Sequence, residues 1–497
     1  MPNRALFRAV LVILLALAAP AVRVHAEDWR VLDEHWYAIE LAGSRIGHAH
    51  ECTEQDGDRI RLTTTSSMVM KRLDAEVAIG ITQLSIEGDD GAPIMLTSIT
   101  DMSKQIKSST LHFNGDTVNL VTRDGGRERS VDRPAPAGDW LMPYASRLFQ
   151  RERLKAGATS IEYQTLSLEN GLDPIVIRMK RIGTEEAMVD DREIPVTRWS
   201  IESTDMPGIP MSATYSADGV MVEQTMTMPI GAMVSRLTTK ADAVGGEIVA
   251  PELMLTNFVA LDQPLSGLDR RRSITFDVRT KDGSKVELPT AGAQRITMNP
   301  DGTSARVTVS LDDPVPATDA ERADAAYLSA SSMIDADDPL IEALARKATR
   351  RTSEDPMLRA EAMRALVAKH ISRKGYETAF ASASETAKLR TGDCSEHAML
   401  LAAMLRADDI PSRVADGLVY VEGLGPSPAA FGWHMWTQAL IDGKWIDLDA
   451  TLPVPYHVGH LLTGTSALRD DGAGDMQMHL LKLLGNLEIR VAERAGD

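Results

Sequence analysis

The sequence predicts a multidomain protein in which a β-rich N-terminal region is followed by an α+β domain. The chain has 497 residues, which is too long for one ordinary hydrophobic core, since domains average roughly 150 residues. Short runs rich in Thr, Val, Ile and Met dominate the chain up to about residue 311, whereas alanine-rich helical patterns begin after Pro316. This change of pattern divides the chain into two kinds of structure.

The first 26 residues are typical of a secretory signal peptide. Arg4 and Arg8 precede an apolar stretch at 9–19, and small residues end the segment at Ala26, where we expect cleavage. The stretch is shorter than the roughly 20 residues that a membrane span needs, although an uncleaved anchor is the alternative interpretation. We therefore expect an exported, periplasmic or extracellular protein with no integral membrane span after signal cleavage.

Charge and cysteine content exclude several classes of protein. The formal net charge is -18, and the leader carries Arg4, Arg8 and Arg23 but no acidic residue, so the mature chain is more acidic still. Such a surface repels phosphate backbones, and we expect no nucleic-acid partner. Cys52 and Cys394 are the two cysteines, too few for a disulfide framework. A bridge between them would prevent Cys394 from acting as a nucleophile.

Residues 27–245 are predicted to form a β-rich domain. Turn dipeptides such as Asn114-Gly115 and Asp218-Gly219 separate its apolar runs, as between hairpin strands. One amphipathic helix is expected near 140–154. Residues 246–315 are predicted to be a β-rich connecting region or a small domain.

Residues 316–497 are predicted to form the α+β domain. Apolar positions at helical spacing indicate helices at 339–351 and 356–374. Another helix is expected to begin at Cys394, because Asp393 is a suitable N-cap and Glu396 is its capping-box partner. Its buried face is predicted to contain Ala398, Leu401 and Leu405.

A cysteine in the first turn of a helix is suited to nucleophilic chemistry. A helix N-terminus and a neighbouring imidazolium both favour the reactive thiolate form of a cysteine, and the exposed N–H groups of the turn could receive an oxyanion. For Cys394 taken alone, a buried structural cysteine is the more common case. The segment 433–451 makes a catalytic cysteine the favoured interpretation.

Residues 433–441 and 444–451 are predicted to form a β-hairpin around the turn Asp442-Gly443. If Ile441 faces Lys444, the register places Asp449 opposite Trp436, with His434 on the same face.

His434 and Asp449 are then diagonal neighbours about 7–8 Å apart, whereas Asp447 lies opposite Gln438, one step farther away. A carboxylate that orients an imidazole beside a thiol is the arrangement of covalent catalysis. The alternative for His434 is packing between Trp433 and Trp436.

Four motifs in this region resemble those of the transglutaminase-like superfamily. They are Gly392-Asp393-Cys394, the turn 406–413, His434-Met435-Trp436 and the strand 445–451. The resemblance covers roughly 320–462. It implies a papain-like fold for the domain, in which a catalytic helix packs on an antiparallel sheet, and a catalytic triad of Cys394, His434 and Asp449.

The chain departs from the family pattern at three points. Asp409 replaces the usual Gly, which Asp accommodates in a left-handed conformation, and Ala450 replaces the usual Pro. No Trp or Gln occurs between Pro316 and Cys394, so the side chain that often completes the oxyanion hole in this superfamily is missing. Tyr376 is a weak candidate for that role.

A zinc site is the main alternative for Cys394. Cys394-x-x-His397 and His457-x-x-His460 could form a four-ligand set, but the family motifs already explain the cysteine. We expect His397 to lie behind the nucleophile or to contact substrate, and His457 and His460 to be surface or edge residues. No calcium-loop pattern occurs, and we expect no metal and no cofactor.

The sequence thus favours an exported thiol enzyme, a cysteine protease, amidase or acyltransferase. It would act on amide bonds of protein or peptide substrates through a Cys394 acyl-enzyme, with hydrolysis or transamidation as the outcome. The alternative is a non-catalytic binding or scaffold protein with an inactive transglutaminase-like domain. The sequence does not indicate an oligomeric state.

Overall fold

The computed structural model describes residues 29–72, 75–102, 105–124, 127–168, 171–189, 192–252, 257–375, 381–423, 427–452, 454–470 and 482–492. The predicted signal peptide, 1–26, lies outside these ranges. Within them, none of the helices is both long enough and apolar enough to cross a membrane.

The β-rich region is one antiparallel sheet of 14 strands. The strands are β1 Arg30–Leu41, β2 Ser44–Asp56, β3 Arg59–Arg72, β4 Ala75–Gly88, β5 Pro93–Met102, β6 Gln105–Asn114, β7 Thr117–Asp124, β8 Arg127–Pro134, β9 Ser160–Thr165, β10 Ile175–Val189, β11 Arg192–Ser203, β12 Met211–Ser216, β13 Met221–Met228 and β14 Gly231–Thr238. The chain runs outward from β1 to the edge strand β8, crosses to the opposite edge at β9 and returns to β14, which pairs with β1.

Helix α1, Pro143–Lys155, connects the two halves of this sheet in the chain and contacts β3 and β4 of one half and β9 of the other. Glu87 on β4 is fully buried, and its carboxylate accepts the N–H groups of Tyr144 at 2.8 Å and Ala145 at 2.9 Å. A carboxylate is favoured at a helix N-terminus, where N–H groups lack partners within the helix. Glu87 therefore fixes α1 on the sheet, close to where the sequence predicts a helix. A short helix α2, Lys240–Gly245, follows β14.

A smaller sheet follows the β-rich region. The strands of this segment are β15 Val259–Ala260, which joins the sheet of the α+β domain, and β16 Ser273–Thr280, β17 Gln294–Met298 and β18 Ser304–Ser310. Strands β16, β17 and β18 form a four-stranded sheet that is completed by β23, Leu487–Val491, from the other end of the chain. Phe276 faces Val491 across this pair. The boundaries at 245 and 315 remain predictions.

The α+β domain places one helix against an antiparallel sheet. Its helices are α3 Asp319–Ala323, α4 Pro339–Thr349, α5 Pro356–His370, α6 Ala383–Leu389 and α7 Cys394–Arg406, and its strands are β19 Ser412–Glu422, β20 Ala429–Ile441, β21 Lys444–Leu448 and β22 His460–Ser466. Strand β20 pairs with β15, β19 and β21, and β22 pairs with β19. Helix α7 packs on β19 and β20 and is surrounded by α4, α5 and α6. The predicted fold class, a β-rich region followed by a papain-like α+β domain, is confirmed.

Candidate active site

Helix α7 begins at Cys394, as the sequence predicts. The Asp393 carboxylate accepts the N–H of Ser395 at 2.8 Å, and the Glu396 carboxylate accepts the N–H of Asp393 at 2.8 Å. This reciprocal capping box satisfies N–H groups that the helix itself cannot. Every residue of α7 after Cys394 is buried, whereas Cys394 is partly exposed. The sulfur therefore lies at the accessible end of an otherwise buried helix.

Glu396 also explains the glycine that precedes the cap. A Cβ atom at residue 392 would lie 2.4 Å from the Cβ of Glu396, so only glycine fits there without a shift. The Glu396 carboxyl is fully buried and accepts a second N–H, from Ala381, at 3.1 Å. Burial and the nearby Asp393 carboxylate raise the pKa of Glu396 to about 8.

The hairpin that carries the histidine has the predicted turn and register. Asp442 and Gly443 both have positive φ, 49° and 75°, as a two-residue turn of the Asp-Gly type requires. Ile441 faces Lys444 and Gln438 faces Asp447. The ladder ends at Thr437 and Leu448, so the predicted pairing of Asp449 with Trp436 is not made.

His434 and Asp449 nevertheless meet at the end of the hairpin. The distance from His434 Nε2 to Asp449 Oδ2 is 2.8 Å, and both side chains are buried. The other carboxylate oxygen, Oδ1, accepts the N–H groups of Thr451 at 2.7 Å and Leu452 at 3.4 Å. The carboxylate is thus anchored to the backbone on one side and bonded to the imidazole on the other.

The contact between His434 and Asp449 raises the pKa of the imidazole and lowers the pKa of the carboxyl. Burial disfavours the charged form of His434, but the Asp449 carboxylate and, after it, the nearby Cys394 raise the pKa of His434 to about 10. Burial also opposes ionisation of Asp449, yet pairing with His434 holds its pKa well below the usual value. Since Asp449 occupies Nε2, Nδ1 is the nitrogen left for the thiol. The structure therefore places His434 against Asp449 and close enough to Cys394 for the two side chains to interact electrostatically.

Asp447 has a different set of partners. Its Oδ1 accepts Trp436 Nε1–H and Gln438 Nε2–H, each at 2.7 Å, and its Oδ2 accepts the N–H of Ala293 at 2.8 Å. These bonds tie β20 to the start of β17 and leave Asp447 turned away from His434. Burial raises the pKa of the Asp447 carboxyl.

His460 is a residue of this site that the sequence analysis considered only for the alternative zinc set and as a surface or edge residue. It is fully buried at the start of β22, with Nε2 3.1 Å from Asp449 Oδ2 and Nδ1 2.9 Å from the carbonyl of His457. It does lie on an edge strand, but the expectation of a surface position is wrong for both His457 and His460, which are buried. The placement depends on the pairing of His460 with Val419 on β19, which no local pattern reveals.

The alternative zinc set is not assembled among the described residues. The cluster there that could hold a metal ion consists of His434, Asp449 and His460, whose ligand atoms lie within 4.8 Å of one another. His397 is fully buried, with Nδ1 2.5 Å from the carbonyl of Asp393, and burial lowers its pKa. It is buried within the first turns of α7, so the expectation that it lies at the protein surface in contact with substrate has no support from its burial.

Two departures from the family pattern have different outcomes. Asp409 adopts the left-handed conformation that the sequence predicts, with φ of 60°. Tyr376, the weak candidate for the oxyanion hole, lies outside the described residues.

This fold and site define a protein with a papain-like thiol domain, and comparison with known families agrees. Residues 342–450 match the family model described as the transglutaminase-like superfamily. The matched segment includes Cys394, His434 and Asp449. The chain therefore carries a transglutaminase-like domain, as the motifs predict. The comparison with curated proteins finds no match.

Three solved structures show remote similarity. A beta-barrel-like protein of a domain of unknown function from Brucella abortus is 10% identical, with 41% of this chain and 94% of that chain covered and a TM-score of 0.33. A candidate cysteine protease from Cytophaga hutchinsonii is 19% identical, with coverages of 44% and 83% and a TM-score of 0.28. The periplasmic domain of TgpA from Pseudomonas aeruginosa, bound to ethylmercury, is 15% identical, with coverages of 37% and 91% and a TM-score of 0.25.

Proposed function

We propose that this chain is an exported thiol enzyme that acts on amide bonds of protein or peptide substrates through a Cys394 acyl-enzyme. The observation that carries the proposal is the hydrogen bond between the Asp449 carboxylate and the His434 imidazole, together with the nearness of that imidazole to Cys394. A nucleophile, a base and a group that orients the base are the three parts of covalent acyl transfer.

Each step of the proposed reaction uses a group of this site. His434 Nδ1 accepts the thiol proton, and the Cys394 sulfur attacks the carbonyl carbon of the substrate amide. The resulting oxyanion is stabilised by backbone N–H groups at the start of α7. The imidazolium then gives its proton to the leaving amine as the C–N bond breaks, and a thioester remains on Cys394.

The second half of the reaction decides the product. If water enters, His434 takes its proton while the hydroxide attacks the thioester, which releases a carboxylic acid and returns the proton to the thiolate. If a primary amine enters, the same steps give a new amide. The proposal therefore includes hydrolysis and transamidation, the activities of a protease or amidase and of an acyltransferase.

Export is the second part of the proposal and rests on the leader. Arg4, Arg8 and the apolar stretch 9–19 support secretion with cleavage after Ala26. N-terminal sequencing of the protein from the periplasmic or extracellular fraction is expected to begin at Glu27. A mature protein that retains residue 1 would contradict this part.

A peptide library tests the enzymatic part. The mature chain is expected to hydrolyse a subset of peptides, and adding a primary amine is expected to show whether part of the product becomes an amide. The Cys394→Ala chain is the matched control and is expected to be inactive. Equal turnover by both chains would contradict a Cys394 acyl-enzyme.

The alternative of a binding or scaffold protein is favoured by one observation. The sheet of 14 strands contains none of the three residues that the mechanism uses. If a partner is captured equally well by the Cys394→Ala chain while the wild-type chain turns over no peptide, the scaffold function is correct.

A further inference from the structure

We infer that His460 is a positioning residue of this site, whose Nε2–H holds the Asp449 carboxylate in the orientation that His434 requires. The inference rests on the proposed function, because it assigns a role within the same acyl-transfer site. It concerns a residue that none of the four sequence motifs contains.

The first support is the hydrogen bonding of the carboxylate. Asp449 Oδ2 lies 2.8 Å from His434 Nε2 and 3.1 Å from His460 Nε2. A carboxylate oxygen only accepts, so the His460 nitrogen donates. Together with the two backbone N–H groups on Oδ1, this bond prevents the carboxylate plane from rotating away from His434. Removal of His460 would leave the Oδ2 side held by His434 alone.

The second support is that His460 is itself held firmly. Its Nδ1 lies 2.9 Å from the carbonyl of His457, and its ring packs against Tyr456 and Trp436 with centroid distances of 4.3 Å and 5.3 Å. The two aromatic contacts fix the plane of the ring, and the side chain is fully buried. A side chain can hold a neighbouring reactive group in one orientation only when its own position is fixed.

Several titratable groups face His460 from the elements around it. They are Asp449, His434, His457, Asp447 and Tyr456. Burial, followed by the neighbouring His460, lowers the pKa of His457 to about 4, and burial raises the pKa of Tyr456 well above its usual value. These two groups therefore stay neutral near pH 7. They do not change charge over the range in which Cys394 reactivity is measured.

A purely structural role for His460 is the competing explanation, and alkylation kinetics separate it from a positioning role. The second-order rate constant for alkylation of Cys394 by iodoacetamide is measured from pH 5 to pH 10 in a Cys52→Ser chain, which leaves one cysteine. His460→Gln keeps an N–H donor toward Asp449, whereas His460→Phe removes it. His370→Gln is the matched control, since His370 also bonds a backbone carbonyl, at 2.8 Å, but does not contact the site.

The positioning role predicts a specific pattern. His460→Phe should lower the rate constant at pH 7 about tenfold, the lower end of the range for loss of such supporting partners. It should also move the pH of half-maximal reactivity upward, because a misaligned Asp449 stabilises the imidazolium–thiolate pair less. His460→Gln should stay within about threefold of the parent, and His370→Gln should match the parent. Thermal unfolding of each variant accompanies the kinetics.

Each other result contradicts the inference. A His460→Phe chain with the parent profile shows that Asp449 needs no such support. A downward shift in the pH of half-maximal reactivity shows that His460 acts through charge. A tenfold loss of the alkylation rate constant in His460→Gln shows that an N–H donor is not sufficient. The Gln variant therefore tests the inference even if the Phe variant does not fold. If the parent Cys394 is itself unreactive near pH 7, the proposed function fails instead.

Discussion

His434 Nε2 lies 2.8 Å from Asp449 Oδ2, although the two residues are 15 positions apart in the chain. The tight turn at Asp442-Gly443 folds β21 back along β20 and carries Asp449 past the end of the ladder toward the histidine. The hairpin thus brings His434 and Asp449 together, while Cys394 lies at the start of α7. The site is formed where a hairpin end and a helix end meet.

The two aspartates of this hairpin are expected to have different functions. Asp449→Asn should lower Cys394-dependent peptide hydrolysis by roughly 10³ to 10⁴, because an amide cannot hold His434 in the tautomer the reaction needs. Asp447→Asn is the matched change two residues away. It should lower turnover less than about tenfold but should lower the free energy of unfolding by about 1–3 kcal/mol, because one buried N–H loses its acceptor. Equal losses of turnover in both variants would exclude Asp449 as the orienting carboxylate.

Glu396 should make stability depend on pH. Its pKa in the folded chain, about 8, lies above the ordinary value of 4.5, so the folded state binds this proton more tightly. The resulting stabilisation is fully present below pH 4.5 and is lost as the pH rises through about 8. Glu396→Gln mimics the protonated acid, and denaturant unfolding should show a smaller loss of stability between pH 5 and pH 8 than in the wild-type chain.

The control for this prediction is Glu342→Gln on the exposed face of α4. It removes a carboxylate that pairs with Arg346 at 3.1 Å in solvent and should leave the pH dependence unchanged. If Glu396→Gln also leaves it unchanged, burial of Glu396 does not affect the pH dependence of stability.

Gly392 should be intolerant of a side chain. In Gly392→Ala the new Cβ would lie 2.4 Å from the Cβ of Glu396, so the capping box must shift. We expect a loss of about 1–3 kcal/mol in the free energy of unfolding, as for other overpacked sites, together with slower alkylation of Cys394. Gly423→Ala is the control, because Gly423 also has positive φ but a Cβ added there would meet no atom within 4 Å. If Gly392→Ala lowers the free energy of unfolding no more than Gly423→Ala does, the predicted clash with Glu396 is contradicted.

Chelation tests the expectation that the reaction needs no metal. His434, Asp449 and His460 could hold an ion, but an ion there would compete with the hydrogen bonds that orient His434. Dialysis against EDTA is expected to leave peptide hydrolysis and Cys394 alkylation unchanged, with added zinc as the comparison arm. Activity that falls on chelation and returns with metal would show that the proposed mechanism is incomplete.

The parts of the site that sequence patterns predict are those with local determinants. Asp393, Cys394 and Glu396 form the predicted helix start because a capping box spans only four residues. Asp449 is distinguished from Asp447 because a two-residue turn fixes the register of both strands.

The parts that the sequence does not reveal depend on pairing between distant segments. His460 reaches Asp449 only because β22 pairs with β19, and β23 joins β16 across more than 200 residues. The order of the 14 strands likewise follows from the pairing of β1 with β14. Strand patterns define a strand and its faces but do not specify its partner.

Competition between the two cysteines for iodoacetamide is the most direct test of the central claim. Both are partly exposed, but burial, with nearby Glu54 and Glu34, raises the pKa of Cys52, so Cys52 is an internal reference. At pH 7, mass spectrometry should show alkylation of Cys394 at least roughly tenfold faster than that of Cys52, because only the thiolate reacts. The difference should shrink above pH 9. A Cys394 that is unreactive at pH 7, or no faster than Cys52, would contradict a catalytic Cys394.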